Sequence, residues 1–134
     1  MAVRQRGTSA VEFVIVAPVF LLLVFTIIEA GLYFHARDTA QTSAREGVSA
    51  LRLAGTNADP GSYRTYAEQI ATQFATEIGD LTHVTSVATI DQHSGRVTVR
   101  VDGDVVLPVG GTMHISQSSS ATLEQWLPDL RSPS

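Results

Sequence analysis

The side chains that could carry chemistry in this sequence are few and scattered. Four histidines, His35, His83, His93 and His114, fall on four different predicted elements, and no HxH or HExxH spacing brings two of them onto one cation. No metal is expected. The absence of cysteine removes a thiol nucleophile, a thiolate metal site and a disulfide scaffold, without fixing the compartment. The hydroxyl-rich stretch from Ser116 to Ser120 has no GxSxG elbow, and neither GxxxxGK[ST] nor GxGxxG occurs to cradle a phosphate. Asp102-Gly103-Asp104 lacks the ligand spacing of an EF-hand and reads as a turn. The sequence therefore predicts no catalytic residue, no cofactor and no enzyme.

What remains unusual is Glu12, a carboxylate at the edge of an apolar run. Residues Phe13 to Ile28 contain no charged side chain, and the wider stretch Ala10 to Phe34 would span ~37 Å as a helix, against ~30 Å of bilayer hydrocarbon. Glu12 and Glu29 then fall near the two interfaces. A charge at bilayer depth costs roughly 2.5 to 3.5 kcal/mol on insertion scales, so Glu12 reads equally as a functional carboxylate or as an interfacial one that snorkels to water. Pro18 lies inside the run and is expected to kink the helix, which membrane helices tolerate. Arg4 and Arg6 precede the run with no acidic residue beside them, which places the N-terminus in the cytoplasm and everything after Phe34 outside. A cleavable secretory signal fits less well, because the run is longer than an ordinary h-region and no clean small-x-small site follows it.

Composition agrees with an anchor. Nine arginines, no lysine and 13 acidic residues give a formal net charge of −4, which supplies no basic surface for nucleic acid. The chain is 44% apolar and only 16% charged, and its surplus of apolar residues is concentrated in the one N-terminal run.

Arg6-Gly7-Thr8-Ser9-Ala10-Val11-Glu12-Phe13, followed at once by the apolar helix, resembles the prepilin processing site of the type IV filament superfamily. The stretch from Ala10 to Gly55 narrows this further and resembles the TadE-like proteins of the tight-adherence (Flp) pilus. The matching positions are Glu12-Phe13, Pro18, Glu29, Gly31 and Ala44-Arg45-Glu46-Gly47. The resemblance implies a minor pilin or pseudopilin cut by a prepilin peptidase between Gly7 and Thr8, with the helix retained. It implies that Glu12 and Phe13 act in assembly, Glu12 by pairing with the freed ammonium of a neighbouring subunit's Thr8. Pro18, Glu29 and Gly31 become membrane-interface or packing positions. The implied partners are the peptidase, the major and other minor pilins, the inner-membrane platform proteins, and lipid before assembly. The competing class is a permanently anchored extracytoplasmic scaffold or receptor, and a secreted enzyme released near Ala36 is the third.

The elements that must position these residues follow from periodicity. Ala36, Ala40, Ala44, Gly47, Val48, Leu51 and Ala54 continue the helix to Leu53 or Ala54, with a narrow small-residue stripe suited to close packing on its own domain or on a neighbour. Thr56 to Ser62 is a break. Asp59-Pro60 then starts a second helix closed by Gly79, whose Tyr63, Tyr66, Ala67, Ile70, Phe74 and Ile78 face reads as core rather than as a ligand stripe. Arg64, Glu68, Gln69 and Glu77 lie elsewhere on it. From Val84 the period becomes two, with Val84, Ala88 and Ile90 on one face. Val97, Val99, Val101, Val105 and Leu107 follow after a five-residue connection, Asp91 to Gly95. Arg96, Thr98, Arg100, Asp102 and Asp104 form the opposite, solvated row. A third strand carries Met113, Ile115, Ala121 and Leu123, is interrupted at Gln117 and Ser119, and has an exposed or edge segment over Ser116 to Ser120. The expected fold is α+β: a long N-terminal transmembrane helix continuing into an exported head, where a second helix packs on a three-stranded antiparallel sheet. The expected organisation is a leader (1–7), the helix (8–55, its membrane part 10–34), the head (56–127) and a flexible tail (128–134).

Overall fold

The computed structural model describes residues 6–53 and 59–123. The expected tail, most of the leader and the first half of the break after Gly55 lie outside the described residues. The first helix, α1 (Arg6–Leu53), runs for 48 residues with Pro18 inside it, or ~72 Å end to end. Leu53 is the last described residue of this stretch, as far as the apolar period of the sequence carries the helix to within one residue. The two halves of α1 differ in what surrounds them. From Val11 to Phe34 most of the large apolar side chains stand exposed, Phe13 by 71%, and no described residue covers them. From Ala36 onward Ala36, Ala40, Ala44, Val48 and Leu51 are buried against the head.

The second helix, α2 (Pro60–Gly79), begins at Asp59, whose carboxylate accepts the Ser62 N–H at 3.3 Å and fills one of the donors a helix start leaves open. It runs antiparallel to α1, because Gly47 meets Ala67 and Ala71 while Gly79 meets Thr39. The buried apolar side chains described on α2 are Ala67, Ala71 and Ala75, and Gly79 at its end is buried too. Tyr66 and Ile78 are exposed, and Tyr63, Ile70 and Phe74 are half-buried. The expected aromatic core face is therefore wrong by roughly a quarter turn of the helix. The reason lies in the partner: a helix whose own stripe is alanine and glycine approaches most closely through another alanine stripe.

Gly79 shows how close that approach is. A Cβ built on it would lie 2.6 Å from Thr39 Cγ2, so the position demands glycine for space. The left-handed cap expected of Gly79 is taken instead by Asp80, at φ 48° and ψ 25°. Gly79→Val is expected to destabilise the head by roughly 1 to 3 kcal/mol through overpacking, read as a lower midpoint in denaturant with an unchanged slope.

Three strands, β1 (Thr82–Asp91), β2 (Arg96–Leu107) and β3 (Gly111–Thr122), form an antiparallel sheet in the order β1-β2-β3. The first connection is four residues, since Asp91 pairs with Arg96. Asp91 closes it by accepting the His93 N–H at 2.9 Å and the Ser94 hydroxyl at 2.6 Å, and Gly95 takes φ 62°. Val97, Val99, Val101, Val105 and Leu107 are all buried, as the alternation requires, and Ala88 from β1 and Ile115 from β3 join them. Asp102-Gly103-Asp104 is not a turn but part of β2. Gly103 occupies the inner face of that strand, where a Cβ would approach Leu81 and Val84 at 3.4 and 3.5 Å. The third strand runs unbroken through Gln117 and Ser119, both half-buried, because pairing with the valine-rich central strand outweighs their polarity. Ser116 to Ser120 lies on the edge strand.

Thr39 and Ser43 are the polar side chains buried within the alanine stripe of α1, and both are satisfied by their own helix. Thr39 Oγ1 donates to the His35 carbonyl at 3.0 Å, and Ser43 Oγ donates to the Thr39 carbonyl at 2.8 Å. Small size with an internal partner lets them sit where a larger polar group would hold the helices apart.

Candidate functional site

The residues singled out from sequence sit on one helix but at opposite ends of its apolar half. Gly7 and Thr8 lie in the first turn of α1. Glu12 and Phe13 follow, both exposed, and Glu12 makes no hydrogen bond or ion pair among the described residues. Pro18 and Gly31 are exposed as well, and a Cβ on Gly31 would meet nothing within 4 Å. Glu12, Phe13, Pro18 and Gly31 thus stand open rather than packed among the described residues.

Glu29 is different. Its Oε1 accepts the Val109 N–H at 2.7 Å and the Gly110 N–H at 2.6 Å, so the carboxylate holds the turn between β2 and β3 against α1. Eighty residues of chain separate the partners, and no local pattern announces the contact. The geometry is consistent along its whole length: Val99 touches Gly47 while Gly110 touches Glu29. The eighteen helical steps from Glu29 to Gly47 cover ~27 Å, and the eight strand steps from Val99 to Leu107 cover about the same. Gly110 is tightly fitted, since a Cβ there would lie 3.2 Å from Leu107 Cδ1 and 3.3 Å from Glu29 Oε2. Gly111, at φ 77°, supplies the left-handed backbone the turn needs.

Glu12 and Glu29 are 17 residues apart, ~25 Å along the axis, and form two sites rather than one. Between them stands a helix surface of valine, isoleucine, leucine and phenylalanine. Within it Thr26 Oγ1 donates to the Leu22 carbonyl at 2.8 Å and so needs no outside partner. Tyr33 and Phe34 end the run, with their rings edge-on at 5.7 Å. Aromatic side chains of this kind favour the membrane–water boundary.

Two side chains that the sequence places off the aromatic face of α2 act as clamps. Arg64 Nε donates to the Ala88 carbonyl at 3.1 Å, and Glu68 Oε1 accepts the Ala88 N–H at 2.9 Å. Together they occupy the outward-facing backbone groups of Ala88 on the edge strand β1, which blunts that edge as a template for further pairing. Glu68→Ala is expected to cost about 1 to 3 kcal/mol, the penalty for a half-buried donor left unmet, and to speed amide exchange at Ala88.

The outer face of the sheet gathers histidines that the sequence keeps apart. His114 Nδ1 lies 2.9 Å from Asp104 Oδ1, which requires the proton on Nδ1, and His83 Nδ1 lies 3.5 Å from Asp104 Oδ2. His83 itself adopts φ 51° where the register slips between Thr82 and Thr85. Beside them Arg100 reaches Asp102 at 3.0 Å. Partial burial pushes the Asp102 carboxyl up, but the Ser116 hydroxyl and the Arg100 guanidinium outweigh it and hold it below its ordinary 3.8. A depressed folded value means stability that is present above 3.8 and is lost as the pH falls further. Acid melts of the wild type should therefore steepen below that value, and those of Asp102→Asn should steepen less, the remainder coming from groups such as Asp91, whose carboxyl is lowered by the Ser94 hydroxyl and the His93 N–H.

With both ends of the apolar helix described, the comparison with known families can be placed. Residues 7–49 match the family described as TadE-like protein. The whole TadE-like match lies within α1 and includes Glu12, Phe13, Pro18, Glu29, Gly31 and Ala44 to Gly47, while the resemblance read from sequence runs on to Gly55. The match takes in the exposed apolar half and the small-residue stripe as far as Gly47. No curated protein and no solved structure matches this chain. The long apolar N-terminal helix on which the match lies is a candidate membrane span.

Proposed function

We propose that this chain is a minor pilin or pseudopilin that acts in assembly of a tight-adherence pilus after a prepilin peptidase cuts between Gly7 and Thr8. One observation carries the reading: α1 leaves its TadE-like apolar half bare from Val11 to Phe34 while its other half is built into a folded head. An apolar surface of that length is stable only in lipid or among other apolar helices. A pilin-like subunit meets both in turn, and transfer from bilayer to filament keeps the same surface buried.

Arg4 and Arg6 favour a cytoplasmic N-terminus and an exported head. Cleavage would convert the Thr8 nitrogen to an ammonium four residues from Glu12, the spacing of helical neighbours. In an assembly the Glu12 carboxylate would then meet the Thr8 ammonium of an adjacent subunit, setting its axial register. The partners are accordingly the peptidase, the major and other minor pilins and the inner-membrane platform proteins, with no enzymatic activity in this subunit.

The test is the intact mass of the membrane-extracted protein, expressed with and without a matching prepilin peptidase. Loss of residues 1–7 only when the peptidase is present is the expected result. An unchanged mass would overturn it and leave a permanently anchored scaffold or receptor.

A further inference from the structure

The turn that Glu29 holds is itself apolar. From Val105 to Met113 there is no charged side chain, the nearest being Asp104 on one side and His114 on the other. Val106, Val109 and Met113 stand 62%, 69% and 43% exposed, although Leu107 between them is buried. A hairpin tip in water ordinarily carries polar residues, and this one presents a valine at its apex.

Its level along α1 explains why. From Ala10 to Glu29 the helix rises ~28 Å, close to the ~30 Å thickness of bilayer hydrocarbon, so Glu29 stands at the outer hydrocarbon boundary if Ala10 stands at the inner one. Tyr33 and Phe34, the boundary aromatics, lie ~6 to 7 Å further out. Val109 and Gly110, bonded to Glu29, are therefore on the lipid side of that aromatic pair. Backbone donors at such a depth find little water and must be satisfied within the protein. Here they are: Pro108 has no N–H, and Glu29 takes those of Val109 and Gly110. The same two bonds relieve the carboxylate, which would otherwise stand at the membrane boundary with no donor.

We propose that the β2–β3 turn is a second membrane contact, with Val106, Val109 and Met113 seated in the outer headgroup and acyl boundary of the bilayer that α1 spans. The contact continues the apolar surface of α1 sideways onto the head and fixes the head's tilt on the membrane. It rests on the reading of α1 as a membrane span and adds to it a lipid-facing element that the TadE-like match, ending at residue 49, does not include.

The cysteine-free chain makes the test direct. Single variants Val109→Cys, Val87→Cys and Leu22→Cys of the full chain are labelled with an environment-sensitive fluorophore and reconstituted at low protein density in phosphatidylcholine–phosphatidylglycerol vesicles. Val87 is an exposed control on β1, paired with Arg100 and so ~23 Å from the turn along β2. The label at position 109 should emit to the blue of that at 87, be quenched by lipid carrying a shallow nitroxide, and show several-fold weaker quenching by aqueous iodide. Iodide quenching at 109 equal to that at 87, with the label at 22 buried in lipid, would overturn the turn contact and leave the span intact. Shielding from iodide without nitroxide quenching would overturn it in favour of a protein neighbour. A label at 22 open to iodide would overturn both the span and the contact.

Discussion

Glu12→Ala should leave the chain inserted and its head folded while abolishing incorporation into filaments. The structure separates these outcomes. Glu12 is exposed, has no hydrogen bond or ion pair among the described residues, and lies ~25 Å along α1 from Glu29, which bonds the β2–β3 turn. Nothing in the folding of the head depends on Glu12. Insertion should be unhindered, since a carboxylate at the hydrocarbon edge costs less than the roughly 2.5 to 3.5 kcal/mol it would cost at the bilayer centre, and its removal can only lower that cost. Assembly should suffer, because an ammonium desolvated among apolar helices without its carboxylate is worth a loss of roughly 3 to 5 kcal/mol. At 1.4 kcal/mol per tenfold, that is about two to three and a half orders of magnitude in association. The check is to compare membrane-extracted protein with sheared filaments from the same cells. Glu12→Asp, which keeps the charge on a shorter arm, should recover part of the yield. Normal piliation by Glu12→Ala would sink the pairing mechanism.

The separation also shows which parts of the molecule were legible from sequence. The long helix and the inward row from Val97 to Leu107 follow from periods that each element carries within itself. Even the edge position of Ser116 to Ser120 follows from composition. The face of α2 did not, because an apolar stripe was taken to be the one with the largest side chains. Packing against Gly47 and Thr39 selected the smallest instead, Ala67, Ala71 and Ala75, and turned Arg64 and Glu68 toward Ala88. Gly79 was read as a cap when its role is clearance. These are properties of pairs of surfaces, and a single chain read in order displays only one member of each pair. The same holds for His83, His114 and Asp104, adjacent only once β1 and β3 flank β2. Glu29 is the sharpest case: its position in the TadE-like pattern was visible, but its partner lies in a turn 80 residues away.

Glu29→Ala is therefore expected to do the opposite of Glu12→Ala and injure the head rather than the span. It deletes two short bonds from backbone donors to a carboxylate, at 2.7 and 2.6 Å, and leaves the Val109 and Gly110 N–H groups facing a boundary poor in water. Hydrogen bonds to charged groups contribute roughly 1.5 to 3 kcal/mol each, and because the two share one oxygen and one turn the expected loss is about 3 kcal/mol rather than the full double. Amide exchange at Val109 and Gly110 should accelerate by about two orders of magnitude, while Ala88, clamped by α2 on the far edge of the sheet, keeps its protection if the opening stays local. Glu29→Gln retains an acceptor oxygen in the same place without the charge, and should recover about half of the loss. Unchanged exchange at both amides in Glu29→Ala would mean that the turn is held by Leu107 packing alone. A loss equal in Ala and Gln would mean that the charge matters more than the acceptor, pointing to field rather than geometry as what pins the head to its helix.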